Sequence, residues 1–267
     1  MPTTTWFDLP FEMKREIFQY LSVEVRFKFA EASSRIAMDV IEFERNWTNM
    51  RFEKTKDGYD LKISTYIDDF FRSTRDFEVE IEVRKSQIVW KLSKKVIQKE
   101  SVKSKNVRDI AHGQFESMLR KSKNSLSKLT MTKIDITFRE ALIKCFPKLE
   151  EIKIVTNNEK TLYWLLPKSP NIKELTISFR KSPYFKEIPV RKVMDSEKFV
   201  LEKLVDLKVE TNWKKIAEDI VSRSANLSTF KFKFNCYDTP KSNEKLVEML
   251  KSSNVKTLEF FSCLDNQ

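Results

Sequence analysis

Glycine is nearly absent from this sequence, with only Gly58 and Gly113 among 267 residues. A glycine-rich loop lets backbone N–H groups approach a phosphate closely, and both the dinucleotide-binding motif and the P-loop depend on such a loop. Neither motif occurs here. The sequence therefore excludes nucleotide cofactors that are held in either of these two ways.

Histidine and cysteine are equally scarce. The only histidine is His112, for which we predict a surface position, and the three cysteines, Cys145, Cys236 and Cys263, lie far apart. A Ser-His-Asp triad or a zinc site needs more of these groups at closer spacing. We find no acid/base cluster for a hydrolase or transferase, so we predict that the protein is not an enzyme and has neither a cofactor nor a metal.

Long apolar runs are also missing, although 40% of the residues are hydrophobic and 33% are charged. No segment approaches the roughly 18 consecutive apolar residues of a membrane-spanning helix. The first ten residues lack the basic and apolar regions of a signal peptide. Scattered cysteines in an odd number suit a reducing compartment. We expect a globular protein without a membrane partner, located in the cytoplasm, the nucleus or both.

Basic residues exceed acidic ones by 50 to 39, which gives a net charge of +11. Such an excess favours an acidic partner, nucleic acid included. The densest basic runs, Lys91–Lys95 and Lys99–Arg108, lack the spaced aromatic side chains on which single strands stack. A nucleic-acid-binding module, which a steep fall of affinity with salt would favour, therefore stays an alternative, and we expect most lysines to solubilise the surface.

The amino-terminal residues predict a pair of helical segments. Asp8 can accept hydrogen bonds from unpaired N–H groups, and Pro10 fits a first helical turn, so a helix is predicted to begin near Pro10. A second helical pattern follows the short link Ser22-Val23-Glu24 and extends to Phe43. So short a stretch can bury only part of its apolar surface internally, and the remainder needs the rest of the chain or another protein. Three apolar residues of the first helix recur at every fourth position: Met13, Ile17 and Leu21.

These residues carry a resemblance to a known module. The run Leu9-Pro10-Phe11-Glu12-Met13, then Ile17-Phe18-Gln19-Tyr20-Leu21, then Phe27, Phe29 and Ala32-Ser33 resembles the F-box. The F-box is a three-helix module that docks on the Skp-family adaptor of cullin-RING ubiquitin ligases. Val25-Arg26 replaces the common Asp-Leu of that family, and Ile36 stands where a tryptophan is typical. The segment WFDLPFEMKREIFQYLS is also similar to the large family that pairs an F-box with an FTH-type C-terminal domain.

The resemblance implies which side chains contact the adaptor. Apolar residues would form the contact and Glu12 would lie at its polar edge. For Met13 and Phe29 we expect places in the helical core instead. The alternative is that all of these residues fill a small core. The implied adaptor-binding residues are Leu9, Pro10, Glu12, Ile17, Leu21 and Phe27.

The region after the helices predicts an antiparallel sheet. Asp57-Gly58 is a dipeptide typical of a hairpin turn. Residues 77–83 alternate strictly between apolar and acidic side chains, and a second strand is predicted over 87–92. The acidic positions, Glu78, Glu80 and Glu82, are more typical of a solvated sheet face than of a cation site.

A repeat begins near residue 126. Three apolar residues at offsets 0, 3 and 5 recur, and successive starts are 23 to 32 residues apart. This spacing is typical of leucine-rich repeats. Asn157, Asn212, Asn235 and Cys263 stand three residues after a triplet, and a Ser-x-Asn lead-in precedes three of the triplets. The triplets are Leu126/Leu129/Met131, Leu149/Ile152/Ile154, Ile172/Leu175/Ile177, Leu204/Leu207/Val209, Leu227/Phe230/Phe232 and Val255/Leu258/Phe260.

These patterns together predict an α/β protein. Helical patterns lie between the triplets at 138–146, 160–166, 213–224 and 243–250, and one strand with one helix cannot bury its own apolar side, so the repeats are expected to stack. We predict an N-terminal three-helix F-box over 1–46, a small antiparallel region over 47–105, and a curved, right-handed, leucine-rich-repeat-like solenoid over 106–267.

The residue at offset 4 of each repeat is expected to point to the concave face of this solenoid. The row is rich in lysine, which favours a protein target with an acidic segment. The alternative is an ordinary solvated sheet face. The row consists of Thr130, Lys153, Thr176, Lys208, Lys231 and Glu259, and the predicted target-binding residues are its last five members together with Lys233.

The leading hypothesis is a substrate-recognition subunit of an SCF-type cullin-RING ubiquitin ligase. By resemblance, it binds a Skp-family adaptor, and through it a cullin scaffold, at one end and a target protein at the other. A non-catalytic scaffold that binds the adaptor, or a binder that neutralises one specific protein, would carry the same residues. Whether a target's half-life lengthens when the protein is removed separates these hypotheses.

Overall fold

The computed structural model describes residues 5–67, 75–102, 106–132, 139–156, 162, 164–179, 200–210, 214–233 and 244–261. The chain divides into two compact units, Met1–Ser125 (unit 1) and Leu126–Gln267 (unit 2). It is a mixed α/β protein, with helices first and then strands that are antiparallel in unit 1 and parallel in unit 2. The division at 46 and 105 stays a prediction.

Unit 1 begins with three helices, α1 (Phe11–Tyr20), α2 (Val23–Ala32) and α3 (Ser34–Phe43), after a 3-10 turn at Trp6–Asp8. The predicted start near Pro10 is confirmed, since Pro10 is the N-cap of α1. The capping role expected of Asp8 is wrong. Its carboxylate accepts hydrogen bonds from the backbone N–H and the hydroxyl of Thr5, at 2.9 and 2.6 Å, and so closes the preceding turn.

The sheet of unit 1 contains five antiparallel strands in sequence order. The hairpin at Asp57-Gly58 and the two strands predicted after it are confirmed. The fifth strand was not predicted, nor was the helix α4 (Val107–Ser122), which packs on the second and third strands. The strands are β1 (Asn49–Lys54), β2 (Gly58–Ile67), β3 (Arg75–Arg84), β4 (Gln87–Leu92) and β5 (Lys95–Ser101).

Aromatic side chains form the core of unit 1. The ring of Phe52 stacks on that of Phe115 from α4, with centroids 4.5 Å apart. On the α2 side, the ring of Phe27 stacks on that of Phe77 from β3 at 3.6 Å and lies 6.4 Å from Trp47. Helix α2 is therefore attached to the sheet through Phe27.

Unit 2 has six parallel strands in sequence order. The helical patterns predicted at 138–146, 213–224 and 243–250 are confirmed over the residues that the structure describes, and residues 162, 164 and 165 of the pattern predicted at 160–166 are helical. The helices are α5 (Arg139–Cys145), α6 (Lys214–Ser222) and α7 (Glu244–Lys251), and 3-10 turns occur at Phe146–Lys148 and Leu166–Lys168. The strands are β6 (Lys128–Thr132), β7 (Glu151–Thr156), β8 (Glu174–Phe179), β9 (Asp206–Glu210), β10 (Thr229–Lys233) and β11 (Thr257–Phe261).

The apolar triplets form the core of unit 2. All fifteen residues of the first five triplets are buried, which confirms the predicted register. The last triplet differs, because Leu258 is 44% exposed whereas the equivalent Phe230 is fully buried. The strands at this end of unit 2 therefore leave one core position open.

In three repeats, the asparagine of the Ser-x-Asn lead-in connects the repeat to the one before it. The side-chain amides of Asn171, Asn226 and Asn254 donate to backbone carbonyls of the preceding repeat, those of Pro147, Glu202 and Ala225, at 2.6, 2.7 and 3.1 Å. We call this set the asparagine ladder. The other polar marks of the repeat, Asn157, Asn212, Asn235 and Cys263, lie outside the described residues.

Candidate functional site

Exposed apolar side chains concentrate on the helices of unit 1. Seven of the twelve large apolar side chains exposed in the described ranges fall within the first 29 residues. Exposed apolar residues scattered singly are normal on a protein surface, but a group of them indicates a binding surface. This group, the helix patch, consists of Phe7, Phe11, Met13, Ile17, Tyr20, Val25 and Phe29.

Helix α1 supplies most of the helix patch. Met13, Ile17 and Tyr20 follow one another at spacings of four and three, which places them on one face of the helix. Lys14 and Phe18 are buried on another face. Tyr20 is 89% exposed. Helix α1 thus has one face in the core of unit 1 and a second, apolar face whose side chains are exposed.

The predicted adaptor-binding residues divide between surface and core. Pro10, Glu12 and Ile17 are exposed, and Leu9 and Leu21 are half-buried. Phe27 is only 3% exposed because its ring is stacked against Phe77, so its assignment as a surface contact is wrong.

The expected core positions of Met13 and Phe29 are also wrong, since both side chains are exposed. Met13 lies on the outward stripe of α1. The ring of Phe29 meets Trp6 edge to face, with centroids 5.3 Å apart. Both residues therefore enlarge the helix patch beyond the predicted set.

Arg26 holds the three helices together beneath this surface. Its Nε donates to the carbonyl oxygens of Phe18 and Leu21, at 3.0 and 2.9 Å, and so caps the end of α1. Its Nη1 pairs with the carboxylate of Glu44 at 3.1 Å, and the Glu44 side chain is fully buried. The arginine that departs from the F-box pattern therefore connects α1, α2 and the end of α3.

Asp39 fixes the start of α1 in a similar way. Its carboxylate accepts a hydrogen bond from Nε1 of Trp6 at 2.9 Å and lies 3.6 Å from Nζ of Lys14. The 3-10 turn, α1 and α3 are thus joined at one carboxylate, and the backbone around Leu9 and Pro10 is held between two anchored positions.

The strands of unit 2 carry a second candidate surface, on the face opposite the buried triplets. The parallel register places the predicted residues side by side on successive strands, from Thr130 on β6 to Glu259 on β11. We call them the middle row, with Lys153, Thr176, Lys208 and Lys231 between these ends. Nζ of Lys231 pairs with Glu259 at 2.8 Å. Lys233 follows two residues later on β10, and a binding role for these residues stays a prediction.

A further row lies two residues earlier on the same strands, and sequence reasoning missed it. This first row consists of Lys128, Glu151, Glu174, Asp206, Thr229 and Thr257, each facing the next in the register. Its second, third and fourth members are acidic. The offset that identified the middle row would have found it, because side chains two apart on a strand share a face.

Burial shifts the pKa of two reactive side chains, Cys145 and His112. Burial raises the pKa of the Cys145 thiol to about 12, so little thiolate forms near neutral pH. Burial and then nearby Arg108 lower the pKa of His112 to about 4. The surface position predicted for His112 is wrong in part, since its ring is half-buried and meets Phe52 and Tyr59 edge-on, with centroids 5.8 Å apart in each case.

The acidic positions of β3 are paired with basic ones. Lys62 lies 3.1 Å from Glu80, Arg84 lies 3.5 Å from Glu82, and Lys91 contacts both of these carboxylates. Within the described ranges, no group of three or more His, Cys, Asp or Glu side chains could hold a metal ion. No helix in those ranges is long and apolar enough to cross a bilayer.

No protein-family model, curated protein or solved structure matches this chain. The helix patch and the rows of unit 2 are the two candidate binding surfaces of the described chain.

Proposed function

We propose that this protein is the substrate-recognition subunit of an SCF-type cullin-RING ubiquitin ligase. In this proposal α1–α3 form an F-box that binds a Skp-family adaptor through the helix patch. Unit 2 is a leucine-rich-repeat-like solenoid that binds a target protein through its middle row. The protein makes no bond itself, but it raises the effective concentration of target lysines near the ubiquitin-charged enzyme.

The observation that carries the proposal is the helix patch. Leaving large apolar side chains in water forfeits the free energy of their burial, about 25 cal/mol per Å². Helix α1 has such side chains on its outward face although polar residues there would serve folding equally well. The exposed patch lies in the segment whose sequence resembles the adaptor-binding module, so the exposure of these side chains and the resemblance favour the same partner.

The departures from the F-box pattern are compatible with this function. Arg26 replaces an apolar residue of the pattern, but its guanidinium is directed into the unit, toward Glu44 and the end of α1. Ile36, which stands where a tryptophan is typical, is buried. Both substitutions therefore alter interior contacts and leave the helix patch apolar.

Co-purification with a Skp-family adaptor tests the proposal. Ile17→Glu places a charge in the centre of the patch, and we expect adaptor recovery to fall at least about tenfold because a charge buried in an apolar interface is costly. Ile143→Glu is the matched control, since Ile143 is a helical isoleucine of similar exposure, 40% against 38%. We expect it to retain the adaptor.

Equal adaptor recovery by wild type and by a folded Ile17→Glu variant would contradict the proposal, as would failure of wild type to recover any adaptor. Leu9→Ala/Pro10→Ala provides a second variant at the start of α1. If the adaptor binds but the half-life of a bound target does not lengthen when the protein is removed, the protein is a scaffold or a neutralising binder rather than a degradative receptor.

A further inference from the structure

The first row of unit 2 brings like charges together. Glu151, Glu174 and Asp206 are direct neighbours on β7, β8 and β9, where adjacent strands lie about 4.8 Å apart. Glu151 is paired with Nζ of Lys128 at 2.7 Å. Among the described residues, the carboxylates of Glu174 and Asp206 have neither an ion pair nor a side-chain hydrogen bond.

This arrangement is unfavourable for the free protein. Like charges directly opposite one another on neighbouring strands are destabilising. The chain has 50 lysines and arginines, yet none of those that the structure describes is paired with Glu174 or Asp206. A basic side chain from another molecule, placed over these two carboxylates, would relieve their repulsion and gain two ion pairs.

The middle row presents the opposite charge on the same face. Lys153 on β7 is exposed and has no ion pair within the described ranges, and Lys208 follows Asp206 by two residues on β9. Two residues along a strand correspond to roughly 7 Å. The face thus offers an acidic row and a basic row separated by the distance between alternate residues of an extended chain.

We propose that this face binds an extended protein segment in which a lysine or arginine and an aspartate or glutamate stand two positions apart. The basic side chain lies on Glu174 and Asp206, and the acidic one lies on Lys153 and Lys208. That this segment belongs to a ubiquitination target rests on the proposed function, whereas its charge pattern follows from the two rows. The segment is therefore of mixed charge rather than simply acidic.

Three short synthetic peptides of extended, polar sequence test the inference. They carry Lys-x-Glu, Glu-x-Glu or Lys-x-Lys at their centre and are otherwise identical. Each is titrated into the full-length, isotopically labelled chain, and backbone amide shifts are followed by NMR. We expect the Lys-x-Glu peptide to bind most tightly and to shift the amides of Glu174, Asp206, Lys153 and Lys208.

Glu174→Lys/Asp206→Lys removes the acidic pair. We expect it to weaken the Lys-x-Glu peptide about tenfold and to make Glu-x-Glu the preferred peptide, since positions 174 and 206 then carry the same charge as Lys153 and Lys208. Glu244→Lys/Glu248→Lys is the matched control. It changes the net charge by the same amount at two exposed acidic residues of α7, and we expect it to keep the wild-type order of preference.

Several results would overturn the inference. They are equal binding of the three peptides, shifts that lie away from the two rows, the same change in the α7 control, or no detectable binding at millimolar peptide. Adaptor co-purification of Glu174→Lys/Asp206→Lys is expected to be unchanged. If the wild-type protein recovers no adaptor but still prefers the Lys-x-Glu peptide, the proposed function is rejected and this inference stands.

Discussion

The contacts of Arg26 show how much a single residue contributes to this fold. It neutralises a carboxylate that is fully buried and satisfies two backbone carbonyls at the end of α1. Its guanidinium also lies 4.6 Å from the centroid of the Phe18 ring. The sequence could not predict this role, because the partner, Glu44, stands 18 positions later and beyond two turns of the chain.

Arg26→Ala is expected to lower the free energy of unfolding by about 3–5 kcal/mol, the usual cost of leaving one member of a buried ion pair without its partner. Lys28→Ala is the control. Lys28 lies on the same helix and pairs with Glu24 at the surface, where such pairs contribute about 1 kcal/mol or less. Urea denaturation measures both values, and similar losses for the two variants would contradict this account.

His112 makes stability depend on pH. Its pKa is about 4 in the folded chain, against an ordinary value of 6.5, because burial disfavours the charged ring. The unfolded chain therefore binds a proton at a higher pH than the folded chain does. Stability from this residue is complete above about pH 6.5 and declines as the pH falls toward 4.

We expect His112→Gln to show a smaller loss of melting temperature than wild type between pH 7 and pH 4. Carboxylates that titrate in the same range affect both proteins equally, so the difference between them reports on His112. An NMR titration of the imidazole provides the direct measurement, and a midpoint near 6.5 would contradict the expectation.

Among the helices and strands, the sequence predicted the ones whose buried residues recur at a regular spacing. The alternation of β3 and the apolar triplets of β6–β10 each match a buried face. Strand β5 was missed because it is exposed or half-buried at every position and shows no alternation. Helix α4 was missed because its buried face includes the small or polar residues Ala111 and Ser122, which do not mark an apolar stripe.

Residue 58, at the start of β2, has to be a glycine because the backbone of β3 lies too close for a side chain. A Cβ atom at this position would lie 2.0 Å from the backbone oxygen of Val83 on β3. Gly58→Ala is therefore expected to destabilise unit 1 by about 3 kcal/mol or more. The other glycine is the control: a Cβ on Gly113 would meet nothing within 4 Å, so Gly113→Ala in α4 should stabilise by about 1 kcal/mol.

Thermal unfolding of the two glycine variants measures both effects, which have opposite signs. A Gly58→Ala protein as stable as wild type would show that β2 and β3 separate more easily than their paired register indicates.

The asparagine ladder gives a further prediction for the repeats. Asn226→Ala leaves the carbonyl of Glu202 without its side-chain donor and is expected to cost about 0.5–1.5 kcal/mol in unfolding free energy. Asn124→Ala is the comparison, since Asn124 is exposed and should change stability by less than about 0.5 kcal/mol. Chemical denaturation checks both, and equal effects would argue against a structural role for the ladder.

For the molecule as a whole, the division into two units carries a prediction about binding. The helix patch and the contacts of Arg26 and Asp39 lie entirely within Met1–Ser125. A chain that ends at Ser125 is therefore expected to bind the adaptor as the full chain does, with the same sensitivity to Ile17→Glu. A fragment that shows native circular dichroism but recovers no adaptor would contradict this expectation.

The sequence predicted some of the residues that form the two candidate surfaces and missed others. The sequence placed the middle row correctly because a repeat fixes the position of each strand relative to the next. It did not predict that Phe27 is buried, because that depends on the stacking of α2 against β3, 50 residues away in sequence. The charges of the first row were visible in the sequence as well, and the same repeat places them side by side two residues before the middle row.

The asparagine ladder also bears on how such a chain could change over time. Each of its amide N–H groups donates to one carbonyl of the preceding repeat. Duplication or deletion of one whole repeat would therefore preserve every remaining link, while adding or removing one position from both charged rows. A chain built from such repeats can therefore lengthen or shorten its charged face in unit steps without redesigning its core.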